Sequence, residues 1–177
     1  MPASGKTSVA IEVAKKYGMK YLCGGDILKE IAISKGYQPS RDDWWDTENG
    51  MNFLEERKKS FQFDREVDDK LVKLIGEGGV VVTSYTTPWL STKGVKIWLK
   101  ASPESRSKRL AFRDKIQYKE AEKIVKKRDS ENIAIYKKFY GFNIDEDLSV
   151  FHLVLDTNSI SKNQVIEIVF KACQQFI

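Results

Sequence analysis

The sequence predicts an α/β protein in which a parallel sheet is covered by helices on both faces. Short apolar segments alternate with helical segments along the 177 residues. The strand segments are apolar throughout instead of alternating with polar residues, which is typical of parallel strands buried on both faces. No internal repeat interrupts the pattern, and roughly 100–200 residues form one domain. We therefore expect a single domain over residues 1–177.

The first half of the chain contains a helix and two predicted strand and helix units. Residues 7–17 place four apolar side chains on one helical face, and Gly18 follows as a stop signal. The segment MKYLCGG predicts a strand, and DILKEIAISKG predicts a helix with Asp26 near its N-cap. Helical spacing continues through DREVDDKLVKLIGE. The segment VVVTSY (80–85) then predicts a fully buried parallel strand, because its residues are almost all β-branched or aromatic.

The second half repeats the alternation. The segment VKIWLKA (95–101) predicts a third strand, and Pro103 fits the first turn of a helix over ESRSKRLAFRD. A basic helical stretch follows from about 118 to 140. The segment FHLVLDT (151–157) predicts the last strand, and residues 163–176 form an amphipathic closing helix.

The composition excludes several classes of protein. Hydrophobic residues make up 41% and charged residues 31% of the chain, as in soluble globular proteins, so a disordered, collagen-like or disulfide-rich chain is not expected. No apolar run approaches the roughly 18 residues that span a bilayer, and no signal peptide is visible. Two cysteines without a framework suit a reducing compartment. These features predict a cytoplasmic protein without a membrane partner.

The positive charge is concentrated in one segment. The whole chain has a formal charge of +5, but residues 93–140 carry 15 basic and only 6 acidic side chains. A field of this sign attracts an anionic partner, either a phosphate-bearing small molecule or a nucleic acid. We favour small-molecule nucleotides over nucleic acid because of the motif at the start of the chain.

That motif lies directly before the first predicted helix and comprises Pro2, Ala3, Ser4, Gly5, Lys6, Thr7 and Ser8. It matches the second half of the phosphate-binding P-loop, G-x-x-x-x-G-K-[ST]. Backbone N–H groups and the positive end of the following helix bind phosphate oxygens. Lys6 supplies a cation for the β- and γ-phosphates, and the Thr7 hydroxyl can hold Mg²⁺. The motif predicts ATP and Mg²⁺ as cofactors, and a chance match at a disordered terminus is the alternative.

The motif is incomplete in this chain. Its first glycine would precede Met1, and the strand that normally leads into such a loop is missing. The absence of a buried central strand removes one ladder of hydrogen bonds on each side. We therefore expect a gene product that begins several residues upstream.

Three arginines recur on one face of the helix after Pro103. Arg106, Arg109 and Arg113 stand at i, i+3 and i+7, and Arg128 follows after a basic stretch. Converging guanidiniums are suited to a transferred phosphoryl group, because phosphoryl transfer depends on positioning and on neutralising charge. This pattern predicts a basic lid over about 106–140. A solvated basic helix is the alternative, and we favour it for Arg106 and the neighbouring lysines.

Further segments carry a resemblance to a known family. They are CGGDILKEIA (23–32), FDREVDDK (63–70), EGGVVV (77–82), KIWLKASPESRSKRLAFRD (96–114) and YGFNID (140–145). In order and spacing they resemble nucleoside monophosphate kinases, most closely the archaeal type of cytidylate kinase. The resemblance implies a P-loop NTPase fold and ATP-dependent transfer of the γ-phosphoryl group to a CMP-like acceptor, by a monomer or a homodimer.

The resemblance also implies roles for individual residues. Arg109 would lie at the nucleotide base and phosphates, while Arg113 and Arg128 would contact phosphates as the lid closes. With Lys6 these arginines form the expected catalytic set, and Thr157 would join the ATP site at the end of the last strand. A monophosphate-binding segment over about 26–70, together with nearby loops, would supply the expected acceptor contacts, which are Gly25, Asp26, Lys29, Asp64, Arg65 and Tyr85.

The chain departs from the family at three positions where a phosphate-binding arginine is usual. At the first, Lys29 keeps the charge but lacks the bidentate fork of arginine. At the second, Tyr85 stands for the arginine, and Thr83 stands for the acid that precedes it in the family. Ile135 stands at the third position. Donor binding is therefore expected to be intact and acceptor binding altered. Two alternatives remain open, a regulatory nucleotide-binding relative with weak or no transfer and a nucleic-acid-binding module.

Trp44 and Trp45 are candidates to line a base pocket, because aromatic side chains stack on bases.

Overall fold

A computed structural model describes residues 1–37, 47–57 and 59–176 of the chain. Trp44 and Trp45 lie outside the described residues. In chain order the elements are α1 (Lys6–Tyr17), β1 (Lys20–Cys23), α2 (Gly24–Ser34), α3 (Glu48–Arg57), α4 (Gln62–Glu77), β2 (Val80–Thr83), α5 (Thr87–Leu90), β3 (Ile97–Lys100), α6 (Pro103–Asp114), α7 (Tyr118–Tyr140), β4 (Leu153–Asp156) and α8 (Lys162–Cys173). The α/β class is confirmed.

The four strands form two separate parallel pairs. In the first, β1 pairs with β2 from Lys20 opposite Val80 onward, and in the second, β3 pairs with β4 from Ile97 opposite Leu153 onward. The prediction of one continuous sheet is therefore wrong for the described residues, because β2 and β3 do not pair. No described strand precedes α1, so neither β2 nor β3 has a neighbour on its second edge.

The accessibility of the strands reflects this division. All four residues of β2 are half-buried, so the prediction of a fully buried strand is wrong. A strand with a single ladder leaves one side of its backbone and part of its side chains uncovered. In β4 half-buried and exposed residues alternate, as expected at the edge of a sheet.

One face of α1 is buried in the core. The predicted apolar face is buried and packs against β3 and α8 in a cluster that contains Val9, Val13, Leu99, Val165 and Val169. Gly18 ends the helix in the left-handed conformation that glycine adopts without strain. This packing fixes the direction of α1 and so the place where its N-terminus opens.

The helices α6 and α7 pack together through Leu110, Ala121 and Val125, which are fully buried. Arg106 is also buried, at 3% exposure, so the prediction of a solvated side chain is wrong for it. Its guanidinium binds both carboxylate oxygens of Asp129, with an Nη1 to Oδ1 distance of 2.9 Å. The positive charge of Arg106, which we predicted to be exposed to solvent, is therefore neutralised by Asp129 inside the protein.

A further core cluster joins the start of the chain to α3, α7 and β3. It contains Met1, Leu54, Trp98 and Ile135, all of them buried. Ile135 is only 1% exposed, so the third position at which the resemblance implies a phosphate-binding arginine lies in the core. No helix within residues 1–37, 47–57 and 59–176 is long and apolar enough to cross a membrane.

Candidate active site

A large cleft, about 1240 Å³ in volume, opens at the N-terminal end of α1. Its walls come from the start of the chain, from α2 and α4, from the loop after β2, from α6 and α7, and from the end of β4. Most of the site residues expected from the sequence line it, and these are Pro2, Ala3, Ser4, Gly5, Lys6, Thr7, Ser8, Gly25, Asp26, Asp64, Tyr85, Arg109, Arg113, Arg128 and Thr157.

The backbone at the start of α1 is shaped for an anion. Gly5 has a φ of +93° and nothing lies within 4 Å of where a Cβ would stand, so the chain turns sharply and stays open there. Gly5 is the N-cap, and no side chain caps the helix. The first-turn N–H groups of α1 are therefore available to a ligand, and the helix dipole favours a negative one.

The ammonium group of Lys6 lies at the wall of the cleft. Its Nζ donates to the carbonyl oxygen of Met1 at 2.5 Å and to Oγ of Ser4 at 3.4 Å. The same Nζ lies 5.1 Å from the ring centre of Tyr85, within the range of a cation–π interaction. Tyr85, where the resemblance implies an arginine, therefore contributes an aromatic face beside Lys6.

Two of the three predicted arginines of α6 face the cleft. Arg109 bridges to the end of β4, with Nη1 3.1 Å from Oγ1 of Thr157 and Nη2 2.6 Å from its carbonyl oxygen. Arg113 forms a salt bridge with Asp114 through Nε and Nη2. Because Arg106 turns inward, α6 presents two arginines to the cleft, and Arg128 of α7 also lines it.

A buried ion pair forms the opposite wall of the cleft. Arg57 binds Asp64 through Nη2 to Oδ1 at 2.5 Å and Nε to Oδ2 at 3.3 Å, and Nη2 also lies 3.2 Å from the hydroxyl of Tyr136. Sequence reasoning missed Arg57, which stands in the charged run EERKK. A signal was present in α4, where Asp64 and Asp68 share one helical face with Val67 and Leu71, and all four are buried.

Asp68 was also missed, and it is an unusual carboxyl group. It is 5% exposed and lines the cleft. Its oxygens accept hydrogen bonds from the hydroxyls of Thr86 and Tyr140. Burial, which disfavours the charged form, raises the pKa of Asp68 to about 6, although these hydroxyls act in the opposite direction. The carboxyl therefore changes charge close to neutral pH.

This shift predicts a pH-dependent contribution to stability. Because the raised pKa favours the protonated form in the folded state, the contribution is present below the ordinary pKa near 4 and is lost as the pH rises through about 6. We expect the free energy of unfolding of the wild type, relative to Asp68→Asn, to fall by up to about 3 kcal/mol between pH 4 and pH 7. Urea unfolding of both proteins across this range measures it, and a constant difference would contradict it.

Three of the residues singled out by the sequence lie elsewhere. Lys29 is half-buried on α2 and is not among the residues that line the cleft. Arg65 has a side chain 69% exposed, forms a loose ion pair with Asp69 at 3.8 Å, and lines a smaller separate pocket. Ile135 is in the core. The acceptor roles of Lys29 and Arg65 stay predictions that the geometry of the cleft does not favour.

The residues of the cleft fit a magnesium ion that arrives with a nucleotide. Within the described part of the chain no group of three histidine, cysteine or acidic side chains could hold a metal. Thr7 is exposed in the first turn of α1 and lines the cleft. Since Mg²⁺ keeps several waters and binds through few protein ligands plus substrate phosphates, the Thr7 hydroxyl suits it.

Comparisons with known proteins identify the family of the chain. The family model described as the cytidylate kinase-like family matches residues 1–159. A cytidylate kinase of Saccharolobus islandicus (strain L.S.2.15 / Lassen #1) is 32% identical over 171 residues, which cover 95% of this chain and 84% of the relative. A cytidylate kinase of Pyrobaculum arsenaticum is 34% identical over 172 residues, which cover 94% of this chain and 85% of the relative.

A solved structure supports the fold alone. The crystal structure of an uncharacterized protein from Eubacterium ventriosum ATCC 27560 superposes with a TM-score of 0.58 at 17% sequence identity, over 96% of this chain and 91% of that chain. The resemblance that the motifs indicated is confirmed by the family model and by the archaeal relatives. The chain therefore belongs to the cytidylate kinase-like family, whose class of enzyme is the nucleoside monophosphate kinase, a phosphotransferase.

Proposed function

We propose that this protein transfers the γ-phosphoryl group of ATP to a nucleoside monophosphate, with CMP as the preferred acceptor. One observation carries the proposal. The uncapped N-terminus of α1, with Lys6 beside it, opens into the same cleft as Arg109, Arg113 and Arg128. A phosphoryl group in transfer needs an anion cradle on one side and converging cations around it.

In this proposal the donor binds along the start of α1. The open backbone around Gly5 and the first-turn amides hold the phosphates, so the segment 2–8 acts as a P-loop. Lys6 contacts the β- and γ-phosphates, and the Thr7 hydroxyl would hold Mg²⁺, which would supply positive charge to the phosphates when bound. Arg109 and Thr157 hold the base end of the donor. The lid over about 106–140 brings Arg113 and Arg128 onto the transferred group.

The acceptor binds in the other half of the cleft. Gly25, Asp26, Asp64 and Tyr85 line the cleft, and we assign the acceptor contacts to them. CMP is chosen because the archaeal relatives of this chain are cytidylate kinases. A carboxylate on this wall can accept a hydrogen bond from the exocyclic amino group of cytosine, which favours CMP over UMP.

An acceptor panel tests the proposal. CMP, dCMP, UMP, AMP and GMP are offered in turn with ATP and Mg²⁺, and nucleoside diphosphate is measured. We expect the highest kcat/KM with CMP and no turnover after chelation of Mg²⁺. Binding of ATP without turnover of any acceptor would favour a regulatory relative. RNA binding that is salt-sensitive and survives saturating ATP would favour a nucleic-acid-binding module.

Arg113 and Lys108 offer a matched comparison within α6. Arg113 lines the cleft, whereas Lys108 has a side chain 65% exposed and pairs with Glu104 on the surface. Removing a charge-assisted hydrogen bond to the transferred phosphoryl costs roughly 10- to 100-fold in rate. We expect Arg113→Ala to lower kcat by this factor and Lys108→Ala to leave it unchanged. Equal rates for the two variants in a steady-state assay would remove Arg113 from the proposed machinery.

A further inference from the structure

Phe112 is the most exposed of the large hydrophobic side chains in the described residues, at 88%. It lies on α6, where the buried positions are Arg106, Ser107 and Leu110, so its ring contributes little to the core. A phenylalanine exposed to this degree on a predominantly polar helix gains nothing from folding. Its ring is therefore accessible to a ligand.

The ring lies at the cleft and not on an unrelated surface. Phe112 lines the same cavity as Arg113 and as Arg109, which is three residues away on the same helical face. Thr157 and Ile160, which follow β4, also line this cleft. Arg109 joins the two sides through its bonds to Thr157. An aromatic face, an aliphatic side chain and a fixed guanidinium thus surround the end of the cleft to which the donor base is assigned.

The polar groups at this end are already used within the protein. The Thr157 hydroxyl donates to the carbonyl oxygen of Lys100 at 3.1 Å, and its own carbonyl accepts from Arg109. The side-chain oxygen of Asn158 accepts from the backbone N–H of Ser102 at 2.9 Å. A base placed here has a stacking surface beside it, while the Thr157 hydroxyl and carbonyl and the Asn158 side-chain oxygen are already engaged.

We propose that Phe112 is the stacking platform for the base of the phosphoryl donor, and that the enzyme therefore accepts purine and pyrimidine nucleoside triphosphates alike. Every base has a π-face, so stacking holds different bases with similar strength, whereas hydrogen-bond readout discriminates among them. The inference rests on the proposed function, because it requires the donor phosphates to lie at the N-terminus of α1.

Calorimetric binding of the Mg²⁺ complexes of ATP, GTP and UTP to the full chain tests the proposal. We expect the three dissociation constants of the wild type to lie within about tenfold of one another. Phe112→Ala should weaken the binding of each nucleotide by roughly 5- to 100-fold, as loss of base stacking does. Phe112→Trp keeps an aromatic ring and should bind each nucleotide as the wild type does. Phe176→Ala is the matched control, because Phe176 is 52% exposed and does not line the cleft, and it should bind as the wild type does.

Inorganic tripolyphosphate separates the possible outcomes. It has no base, so its affinity should be the same for the wild type and Phe112→Ala. Equal loss of tripolyphosphate and ATP would overturn the stacking role, and so would unchanged ATP binding by Phe112→Ala. A preference for one nucleotide above 100-fold would overturn the tolerance. Failure of the wild type to bind any triphosphate would instead overturn the proposed function, and this inference with it.

Discussion

Replacing Lys6 by alanine is expected to lower kcat for phosphoryl transfer by roughly 10²- to 10³-fold, as loss of one preorganised group at a developing charge does. The Nζ group lies at the cleft wall, 5.1 Å from the Tyr85 ring centre, and it is within 3.4 Å of Oγ of Ser4. A bound donor would place its phosphates between this cation and the first turn of α1. The free energy of unfolding should change little, because the contacts of Lys6 are made at the cleft surface.

Lys15→Ala is the control for this prediction. Lys15 is on the same helix, has a side chain 69% exposed and pairs with Glu12 at 3.2 Å, so the variant removes the same charge away from the cleft. Steady-state assays with ATP, Mg²⁺ and CMP should show the wild-type rate for Lys15→Ala. If kcat of Lys6→Ala is within threefold of the wild-type value, the segment 2–8 does not have the phosphate-binding role proposed for it.

Replacing Arg106 by methionine is expected to lower the free energy of unfolding by about 3–5 kcal/mol, because it leaves a buried carboxylate without its partner. The Arg106 and Asp129 side chains are only 4% and 16% exposed. Nε of Arg106 also donates to the carbonyl oxygen of Ala101 at 3.1 Å. The ion pair joins α6 to α7, so its loss should destabilise the packing of these two helices, which form the lid.

The double variant Arg106→Met with Asp129→Leu distinguishes a lost charge pair from a packing defect. Replacing both members of a buried ion pair by apolar residues is often neutral or stabilising. We therefore expect the double variant to recover most of the stability in a urea titration. A double variant as unstable as the single one would mean that packing, and not the unpaired charge, causes the effect. Lys108→Ala, on the exposed side of α6, should unfold as the wild type does.

Much of the fold could be predicted from local sequence patterns. The four strands lie where apolar runs predict them, and α1 buries the face that its spacing indicates. These features depend on residues that are close in the sequence. The division into two strand pairs could not be predicted in this way, because it depends on which strands meet, and β2 lacks a second neighbour among the described elements.

The residues of the site could likewise be predicted only where their pattern is local in the sequence. The motif at 2–8 and two of the arginines of α6, Arg109 and Arg113, line one cleft, as their spacing predicts. Arg106 shows the limit of the argument, because its spacing matches that of Arg109 while its partner, Asp129, is 23 residues away. Arg57 and Asp68 were missed for the same reason. A charged residue is assigned to the surface unless its distant partner is known, and only the fold supplies that partner.

The transfer itself is the central claim, and ³¹P NMR of the full chain with ATP, Mg²⁺ and CMP tests it most directly. We expect the γ-phosphate signal of ATP and the monophosphate signal of CMP to decline in equal amount, while the α- and β-phosphate signals of the two diphosphates, ADP and CDP, grow. No free phosphate should accumulate, and Lys6→Ala should slow the exchange. Release of inorganic phosphate without formation of CDP, or unchanged spectra from a chain that binds ATP, would contradict the account.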